Sequence, residues 1–302
     1  MKILVTGSTG LVGTALVPLL MKAGHTVCRL VRPGTVVKDS EGFQVAWNPA
    51  TGELGGAGVG ADAVVNLAGA SIAGKRWTAE GKVELRTSRV DTTRALVTAL
   101  AKMNARPRVL VSVSGTGFYG NRGDETLTED SSAGHDFLAE MAKDWEGEAL
   151  KAEALGIRVV LARFGVVLAK HGGALPQMML PFRFFVGGKL GSGKQWLSWI
   201  TLEDAVEAIK FALENGNARG PLNVISPQPV QNSEFTTALA HALHRPALFP
   251  APAFALRLAL GEMADALLLS SQRVRPRKLE QLGFQFRQAD LHSALSSVLR
   301  ES

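Results

Sequence analysis

The stretch Lys2-Ile-Leu-Val-Thr6-Gly7-Ser-Thr-Gly10-Leu-Val-Gly13 decides the fold of this chain. An apolar strand runs into a turn with glycine at every third position, and a helix with apolar periodicity follows. The first glycine permits a tight turn, the second lets a pyrophosphate approach the backbone, and the third lets the helix pack closely on the strand. Strand, turn and helix in this order predict a dinucleotide site, with the phosphates at the helix N-terminus. The residues predicted to contact the dinucleotide here are Gly7, Thr9, Gly10, Leu11, Val12 and Gly13.

The end of the second predicted strand indicates which dinucleotide binds. Enzymes that use NAD place a carboxylate at this point for the ribose hydroxyls. This chain has no Asp or Glu between Gly13 and Arg32, and Arg32 itself ends the strand. A guanidinium can clamp a 2′-phosphate that a carboxylate would repel, so we expect NADP(H) rather than NAD(H). A solvated arginine at a strand end is the alternative.

Short runs rich in Val, Ile and Leu recur along the first half of the chain, with helical patterns between the later ones. This alternation is typical of a parallel sheet covered by helices on both faces. The predicted strands are Lys2–Thr6, Thr26–Val31, Phe43–Trp47, Ala63–Asn66, Val109–Ser114 and Arg158–Arg163, and the long predicted helices are Ala79–Met103, Asp136–Glu153 and Pro252–Leu268. We therefore expect an α/β fold, a Rossmann-type doubly wound parallel sheet over residues 1–165. We also expect a smaller mixed α/β C-terminal lobe over residues 166–302. The two units are interleaved in space, and the interleaved part includes the helix-strand segment 202–230.

Composition limits the compartment and the partners. The 302 residues are 46% hydrophobic, which is enough for a large core. The single cysteine, Cys28, cannot form an internal disulfide, and the strand at residue 2 leaves no room for a signal peptide, so we expect a cytoplasmic protein. Residues 254–269 are apolar but carry three charges, which predicts an amphipathic helix and no membrane partner. No His, Cys or carboxylate cluster has ligand spacing, so no metal is expected.

Much of the net charge of +6 is local. Between Ser270 and Arg287 lie five basic residues and one acidic residue, a balance of +4. A basic cluster can bind nucleic acid, but no helix-turn-helix, zinc or aromatic-stacking module accompanies this one. We therefore do not expect a nucleic-acid partner, and a solvated turn or a contact to an anionic substrate explains the cluster better.

Three motifs in order carry a family resemblance: the glycine turn, Asn66-Leu-Ala-Gly69, and Ser112-Val-Ser-Gly-Thr-Gly-Phe-Tyr-Gly120. Together they resemble the extended and atypical short-chain dehydrogenase/reductases, the sugar-nucleotide epimerase group. Through segments such as Asp144-Trp-Glu146 and Gly191-Ser-Gly193, nearly the whole chain is similar to an epimerase-like subfamily, sometimes labelled cell-division inhibitor.

The resemblance implies an NADP(H)-dependent oxidoreductase or epimerase-like enzyme. It also implies a small substrate that is sugar-like or anionic, a nucleotide-sugar among the options, and it leaves monomer and dimer open. By the same resemblance, further cofactor contacts come from Leu67, Ala68, Gly69, Glu84 and Arg89. For Glu84, a solvated surface charge is the alternative.

The chain departs from the family at the catalytic pair. The enzymes that it resembles use Tyr-x-x-x-Lys on the helix after the fifth strand, but this sequence has one tyrosine, Tyr119, and residue 123 is glycine. The usual spacing from Ser114 leads to Ala139, with Lys143 four residues on, so the lysine could survive without the tyrosine.

Candidates for the missing proton donor are Ser114, at the end of the fifth strand, and the nearby Thr116 and Tyr119. For Tyr119, structural packing is the alternative. A non-catalytic protein that senses NADP(H) is the second functional hypothesis, and the missing tyrosine favours it.

Overall fold

The computed structural model describes residues 1–34, 43–54 and 60–300. In chain order its strands are β1 (Lys2–Thr6), β2 (Thr26–Val31), β3 (Phe43–Asn48), β4 (Glu53–Leu54), β5 (Ala63–Asn66), β6 (Val109–Gly115), β7 (Thr126–Leu127), β8 (Arg158–Phe164), β9 (Val166–Leu168), β10 (Trp196–Leu197), β11 (Trp199–Thr201), β12 (Gly220–Val224), β13 (Val230–Gln231) and β14 (Arg273–Val274). Its α-helices are α1 (Leu11–Lys22), α2 (Ala79–Thr87), α3 (Val90–Ala101), α4 (Phe137–Leu150), α5 (Leu175–Arg183), α6 (Leu202–Glu214), α7 (Asn232–Leu243), α8 (Ala253–Leu260), α9 (Arg277–Gln281) and α10 (Leu291–Arg300).

The central sheet has the order β12-β8-β6-β5-β1-β2-β3-β4. Its first seven strands are parallel, and β4 pairs antiparallel with β3 at the edge. The chain first adds β2 and β3 on one side of β1. It then adds β5, β6, β8 and β12 on the other side. The strand order therefore switches beside β1, and such a switch opens a crevice at the carboxyl ends of the strands. The predicted Rossmann-type α/β class is confirmed.

The sheet is buried on both faces, as expected for strands without polar alternation. Ile3 and Val5 of β1 belong to one apolar core, which includes residues of α1 and α6. Leu4 belongs to a second core, which includes residues of α3 on the opposite face. All three side chains are fully buried. This two-sided burial fixes the carboxyl edge of the sheet as a rigid platform.

Segment 202–230 contributes to the central sheet although it follows the start of the C-terminal lobe. Its helix α6 packs against α1, and its strand β12 pairs with β8. The lobe itself has a separate apolar core, in which Trp199 and Phe235 are buried. In the described ranges, we find no helix with the length and apolar character needed to cross a bilayer.

The predicted helix 79–103 is wrong as a single element, because it breaks into α2 and α3 at Ser88 and Arg89. The Arg89 side chain turns back, and its Nη1 donates to the carbonyl of Leu85 at 3.0 Å. That carbonyl would otherwise accept the Arg89 amide in a continuous α-helix. The amide donates instead to Arg86 O at 3.1 Å, so the break follows from the inward turn of one side chain.

Two other helices are shorter than predicted. Asp136 is the N-cap of α4, with Oδ1 accepting from the Ala139 amide at 2.9 Å, and a 3-10 turn over Lys151–Leu155 follows the helix. The predicted helix 252–268 stops at Gly261, which has a φ of 62°, and a π-helical turn follows over Ala264–Leu269. In both cases the apolar periodicity continues past the residue that ends the α-helix.

The basic run 270–287 is paired with acidic side chains. Arg275 pairs with Glu280 at 3.1 Å and Arg277 with Asp130 at 3.0 Å, and Arg287 contacts both Glu203 and Glu207. The charge of this segment is thus largely balanced within the fold.

Candidate functional site

The glycine turn between β1 and α1 contains two glycines that the protein itself requires. Gly7 has a φ of 62°, and a Cβ there would lie 2.5 Å from the carbonyl oxygen of Leu67. A Cβ on Gly13 would lie 2.4 Å from Gly7 O and 2.6 Å from Ser8 Cα. Real Cβ atoms do not approach backbone so closely, so the first and third glycines are explained by packing of the turn against itself and against the residues after β5.

The middle glycine has no such explanation. Gly10 is the N-cap of α1, with an ordinary φ of −81° and no capping side chain. Among the described residues, a Cβ there would meet only Gly7 O, at 3.4 Å, which is a normal contact. The first amides of α1 lack the side-chain acceptor that a Ser, Thr, Asn or Asp cap supplies. The free space and the uncapped amides fit an anionic ligand such as a pyrophosphate.

The rest of the turn has the exposure that a ligand cradle needs. Thr9 and Gly10 are exposed, and Leu11 and Val12 are half-buried at the start of α1. The Ser8 hydroxyl is buried and has no hydrogen-bond partner among the described residues. Ser8 lies inside the glycine motif but is not among the residues predicted from sequence to contact the dinucleotide.

Arg32 follows directly after β2 and is exposed. Since β2 pairs parallel with β1, with Thr6 opposite Leu30, Arg32 lies at the same carboxyl edge as the glycine turn. The structure therefore brings Arg32 and the turn to one edge of the sheet.

Buried polar side chains connect the ends of β1, β5 and β6. Thr6 Oγ1 donates to Asn66 Oδ1 at 2.7 Å, and Asn66 Nδ2 donates to Thr93 Oγ1 and Ser112 Oγ at 2.9 and 3.2 Å. The amide of Leu67 donates to Thr6 Oγ1 at 3.1 Å. This network, which sequence reasoning missed, fixes where the segment Leu67–Gly69 leaves β5.

Arg89 supports the same segment from behind. Its Nη2 donates to the carbonyl of Ala70 at 2.8 Å, and a Cβ on Gly69 would lie 3.2 Å from the guanidinium carbon. The guanidinium also lies over the Trp145 ring, 5.4 Å from the centroid. Burial lowers the pKa of Arg89 to about 10, so the group stays charged at neutral pH. Its Nε is buried and has no partner among the described residues.

Glu84 lies in the wall of a small cavity of about 110 Å³, between residues 70–77 and α2. Its carboxylate is exposed and pairs with Lys75 Nζ at 2.9 Å. The structure thus places Glu84 beside the segment that follows β5, while Arg89 holds that segment in place. Contact of Glu84 and Arg89 with the cofactor stays a prediction, and the exposed ion pair of Glu84 with Lys75 fits the surface-charge alternative equally well.

Ser114 lies at the carboxyl end of β6 and is 4% exposed. Its Oγ is buried and has no hydrogen-bond partner among the described residues. A buried hydroxyl without a partner is costly, and it is a natural place for a ligand oxygen to bind. Thr116 begins the 3-10 turn that follows and is also buried.

Tyr119 is held in a buried polar network. Its hydroxyl donates to Asn223 Oδ1 at 2.7 Å and accepts from Arg163 Nη1 at 3.0 Å. Arg163 in turn forms a two-point ion pair with Glu146, at 2.8 and 2.7 Å. Burial raises the pKa of Tyr119 to about 12, and its side chain is fully buried. This geometry suits the packing alternative rather than proton transfer.

The prediction that Lys143 keeps the place of the family's lysine is wrong. Lys143 is exposed and pairs with Glu140 on the solvent side of α4, at 3.0 Å. The side chain that faces the end of β6 is one position before Ala139: a Cβ on Gly117 would lie 3.2 Å from Leu138 Cβ. Leu138 is buried with Leu85 and Met141 in an apolar cluster. Leu138 therefore forms an apolar wall beside the 3-10 turn that follows β6.

Together, the parallel sheet, the glycine turn and the uncapped start of α1 define a Rossmann-type dinucleotide-binding protein. A sequence model of the NAD dependent epimerase/dehydratase family matches residues 3–225, and one of a domain of unknown function (DUF1731) matches residues 251–298. An epimerase family protein of Mycobacterium bovis is 45% identical over 292 residues, 96% of this chain and 95% of its own length. The chain belongs to the NAD-dependent epimerase/dehydratase family.

Two solved structures are similar over 99% of this chain. One is the human epimerase family protein SDR39U1, crystallised with NADPH, with a TM-score of 0.87, 33% identity and 99% of its own chain covered. The other is a nucleoside-diphosphate sugar epimerase from Corynebacterium glutamicum, with a TM-score of 0.80, 36% identity and 58% of its own chain covered.

Proposed function

We propose that this protein binds NADP(H) and acts as an oxidoreductase or epimerase-like enzyme on a small sugar-like or anionic substrate. The observation that carries the proposal is that the glycine turn and the Ser114 hydroxyl lie at one edge of the sheet. The turn follows β1, Ser114 ends β6, and β5 lies between those two strands. A dinucleotide in the turn would extend across β5 toward Ser114, as ligands do at switch points of such sheets.

The preference for NADP(H) rests on Arg32. Its guanidinium is exposed at the cofactor edge and can pair with a 2′-phosphate at two points. The human relative with NADPH bound, 33% identical to this chain, supports the same assignment. In this arrangement Gly10 and the amides near Leu11 and Val12 hold the pyrophosphate, and Leu67–Gly69 passes beside the adenosine and its ribose.

The cofactor preference is tested by titrating the purified protein with NADPH and NADH, followed by energy transfer from its tryptophans. We expect tighter binding of NADPH. Arg32→Ala should weaken NADPH binding by about tenfold or more, because an ion pair to a phosphate is lost, and should leave NADH binding nearly unchanged. Lys22→Ala, a charge removed from the last turn of α1, serves as the matched control. Equal losses for NADPH and NADH would remove Arg32 from the site.

When bound, NADP(H) would supply hydride exchange with a substrate carbon. The Ser114 hydroxyl is placed to donate a hydrogen bond to the oxygen on that carbon. Because Tyr119 is locked in its network, the proton itself comes from water or from the neighbouring Thr116. Leu138, which lies against the 3-10 turn after β6, makes one side of this region apolar.

Ser114→Ala is expected to abolish any turnover while sparing cofactor affinity. The assay is NADPH oxidation in a screen of sugars, keto acids and aldehydes, and the affinity readout is the tryptophan titration. Ser112→Ala is a useful comparison, because Ser112 already accepts from Asn66 and should act through the fold rather than the substrate. Turnover that persists without Ser114 would move the assignment to Thr116.

A non-catalytic NADP(H) sensor is the second candidate, and the apolar wall at Leu138 favours it. An enzyme of this family that lost its proton-transfer pair could keep cofactor binding and change its binding of a partner instead. Cofactor binding without turnover in the screen, together with different proteolytic fragments in the NADP⁺ and NADPH states, would favour the sensor over the enzyme.

A further inference from the structure

The C-terminal lobe carries an exposed aromatic surface, which we define as Phe184, Phe185 and Val186 after α5 with Leu248 and Phe249 before α8. Each of these five side chains is more than half exposed. Backbone hydrogen bonds join the two segments, from Phe249 N to Gly187 O at 3.0 Å and from Ala251 N to Lys189 O at 2.9 Å. The five residues therefore form one continuous surface rather than scattered exposed positions.

Phe185 presents its ring to solvent from a backbone conformation that is unfavourable in free energy for a bulky residue. Phe185 has a φ of 62°, in the left-handed region that a bulky residue rarely adopts. The residue is 54% exposed, so the ring gains little burial in return. The positive φ belongs to the turn that ends α5, in which Phe185 N donates to Phe182 O at 3.0 Å and Val186 N donates to Pro181 O at 2.9 Å. Helix termination accounts for the backbone conformation, but it does not account for a bulky apolar side chain exposed at this position.

The helix that follows extends the apolar character. Phe254 and Leu258 lie one turn apart on α8, and each is more than 70% exposed. No residue of α8 is buried, although seven of its eight residues are apolar. Packing within the C-terminal lobe therefore does not explain why α8 consists almost entirely of apolar residues.

The charged residues within the segments that carry the surface have one sign. Residues 171–202 and 235–261, which contain the surface and α8, include five basic residues and no Asp or Glu: Arg183, Lys189, Lys194, Arg245 and Arg257. Arg257 pairs with Asp265, and the other four form no ion pair with any described residue. The Arg245 guanidinium lies over the Phe185 ring, 4.7 Å from its centroid. Cations thus border the aromatic side chains directly.

We propose that the exposed aromatic surface binds the anionic surface of a lipid membrane. Phenyl and aliphatic side chains enter the boundary between headgroups and acyl chains, and flanking Lys and Arg side chains contact the anionic headgroups. A second copy of the chain fits less well, because a symmetric contact would bring the same unpaired cations together. The sequence-based expectation of no membrane partner rests on the lack of a spanning segment, which does not exclude contact with a membrane surface. This inference is independent of the proposed enzymatic function.

The test is co-sedimentation of the full chain with vesicles of phosphatidylcholine alone and of equal amounts of phosphatidylcholine and phosphatidylglycerol. We expect binding to the anionic vesicles that weakens with added salt, and little binding to the neutral ones. Phe184→Ser combined with Phe185→Asn should reduce anionic binding by about tenfold or more. Asparagine tolerates a φ of 62° better than phenylalanine, so this variant should unfold at the wild-type temperature or above. Arg183→Glu combined with Arg245→Glu should also reduce anionic binding.

Phe43→Ser is the matched control, because Phe43 is an equally exposed phenylalanine in β3, on the other domain, and its loss should leave vesicle binding unchanged. Equal sedimentation of wild type and the Phe184/Phe185 variant would overturn the proposal. So would equal binding to neutral and anionic vesicles. A dimer in sedimentation velocity that the variant lacks, without vesicle binding, would overturn it in favour of a second copy.

Discussion

The glycine turn after β1 and the segment after β6 lie at the same edge of one sheet, yet they have kept different parts of the family pattern. The turn is built from backbone: Gly13 is fixed by steric contacts within the turn, and Gly7 by contacts with the residues that follow β5. The segment after β6 depends on side chains, and the Tyr-x-x-x-Lys pattern that the family resemblance leads one to expect there does not occur in this sequence, which has Tyr119 as its one tyrosine. The hypothesis that follows is that cofactor binding and proton transfer are separable in this fold.

The difference follows from what each region needs in order to work. A pyrophosphate site needs amides, space and a helix N-terminus, all of which come with the fold once the glycines are present. A proton-transfer site needs particular side chains, and their loss costs the fold nothing when apolar residues fill the space. Tyr119 illustrates the same point, because a residue type typical of catalysis here serves a buried network. Function must therefore be argued from the site and not from the fold alone.

The largest expected effect is on the free energy of unfolding. It tests whether close contacts within the turn require glycine at position 13. Gly13→Ala should lower the free energy of unfolding by about 3 kcal/mol, because the new Cβ would overlap backbone atoms of Gly7 and Ser8 that cannot move independently. Urea unfolding followed by tryptophan fluorescence measures it.

Gly10→Ala is the matched control for that substitution. It should cost less than about 1 kcal/mol of stability, mainly through a poorer N-cap, and yet weaken NADPH binding by about tenfold or more. If both variants lost stability equally, Gly10 would be structural, and the space above it would no longer point to a ligand.

A smaller effect tests the assignment of Tyr119 to structure. Tyr119→Phe leaves Asn223 Oδ1 without its donor and Arg163 Nη1 without its acceptor, so we expect a loss of about 2 kcal/mol in unfolding free energy. NADPH affinity and any turnover should stay at wild-type values at temperatures where the variant is folded. Loss of turnover at unchanged stability would instead place the Tyr119 hydroxyl in the reaction.

The sequence predicted the strands and the glycine turn well, because both depend on local patterns: short apolar runs, and glycines where a Cβ cannot fit. It did not predict the break at Arg89, since helical periodicity continues across a point where one side chain takes a backbone carbonyl. The error at Lys143 has a different cause. Counting from Ser114 to α4 crosses residues 120–136, which are irregular apart from β7, so a fixed spacing does not set the register of α4. One residue of register moves a side chain from one face of a helix toward another.

Contacts between residues far apart in the chain could not be predicted from one sequence. The ion pair of Arg163 with Glu146 joins β8 to α4, and Asn66 at the end of β5 reaches Thr93 on α3 and Ser112 on β6. Neither residue type nor spacing signals such pairing. Ser114 is an intermediate case between a local pattern and a long-range contact. Its position at the end of a strand could be predicted from the sequence, but only the structure shows that its hydroxyl has no hydrogen-bond partner among the described residues.

The smallest expected effect concerns Glu129, which anchors the network around Tyr119 from the other side. Its Oε1 accepts from the amides of Asn223 and Lys278 at 3.1 and 3.2 Å, while Oε2 is buried without a partner among the described residues. Burial raises the pKa of this carboxyl above its ordinary value of 4.5. The folded state thus holds the proton more tightly than the unfolded state, and this contribution to stability is complete below pH 4.5 and is lost as the pH rises through the folded pKa.

Glu129→Gln cannot ionise, so its stability relative to wild type should rise with pH from about 4.5 upward and level off above the folded pKa. Each pH unit between the folded and unfolded pKa values corresponds to about 1.4 kcal/mol. Urea unfolding of both proteins across this pH range measures the difference, and Glu125→Gln, an exposed carboxyl paired with Arg122, is the control. A difference between wild type and Glu129→Gln that does not change with pH would mean that Glu129 ionises as freely in the fold as in water. The segment after β6 would then be less sealed from solvent than its buried network indicates, and the contrast with the open glycine turn would weaken.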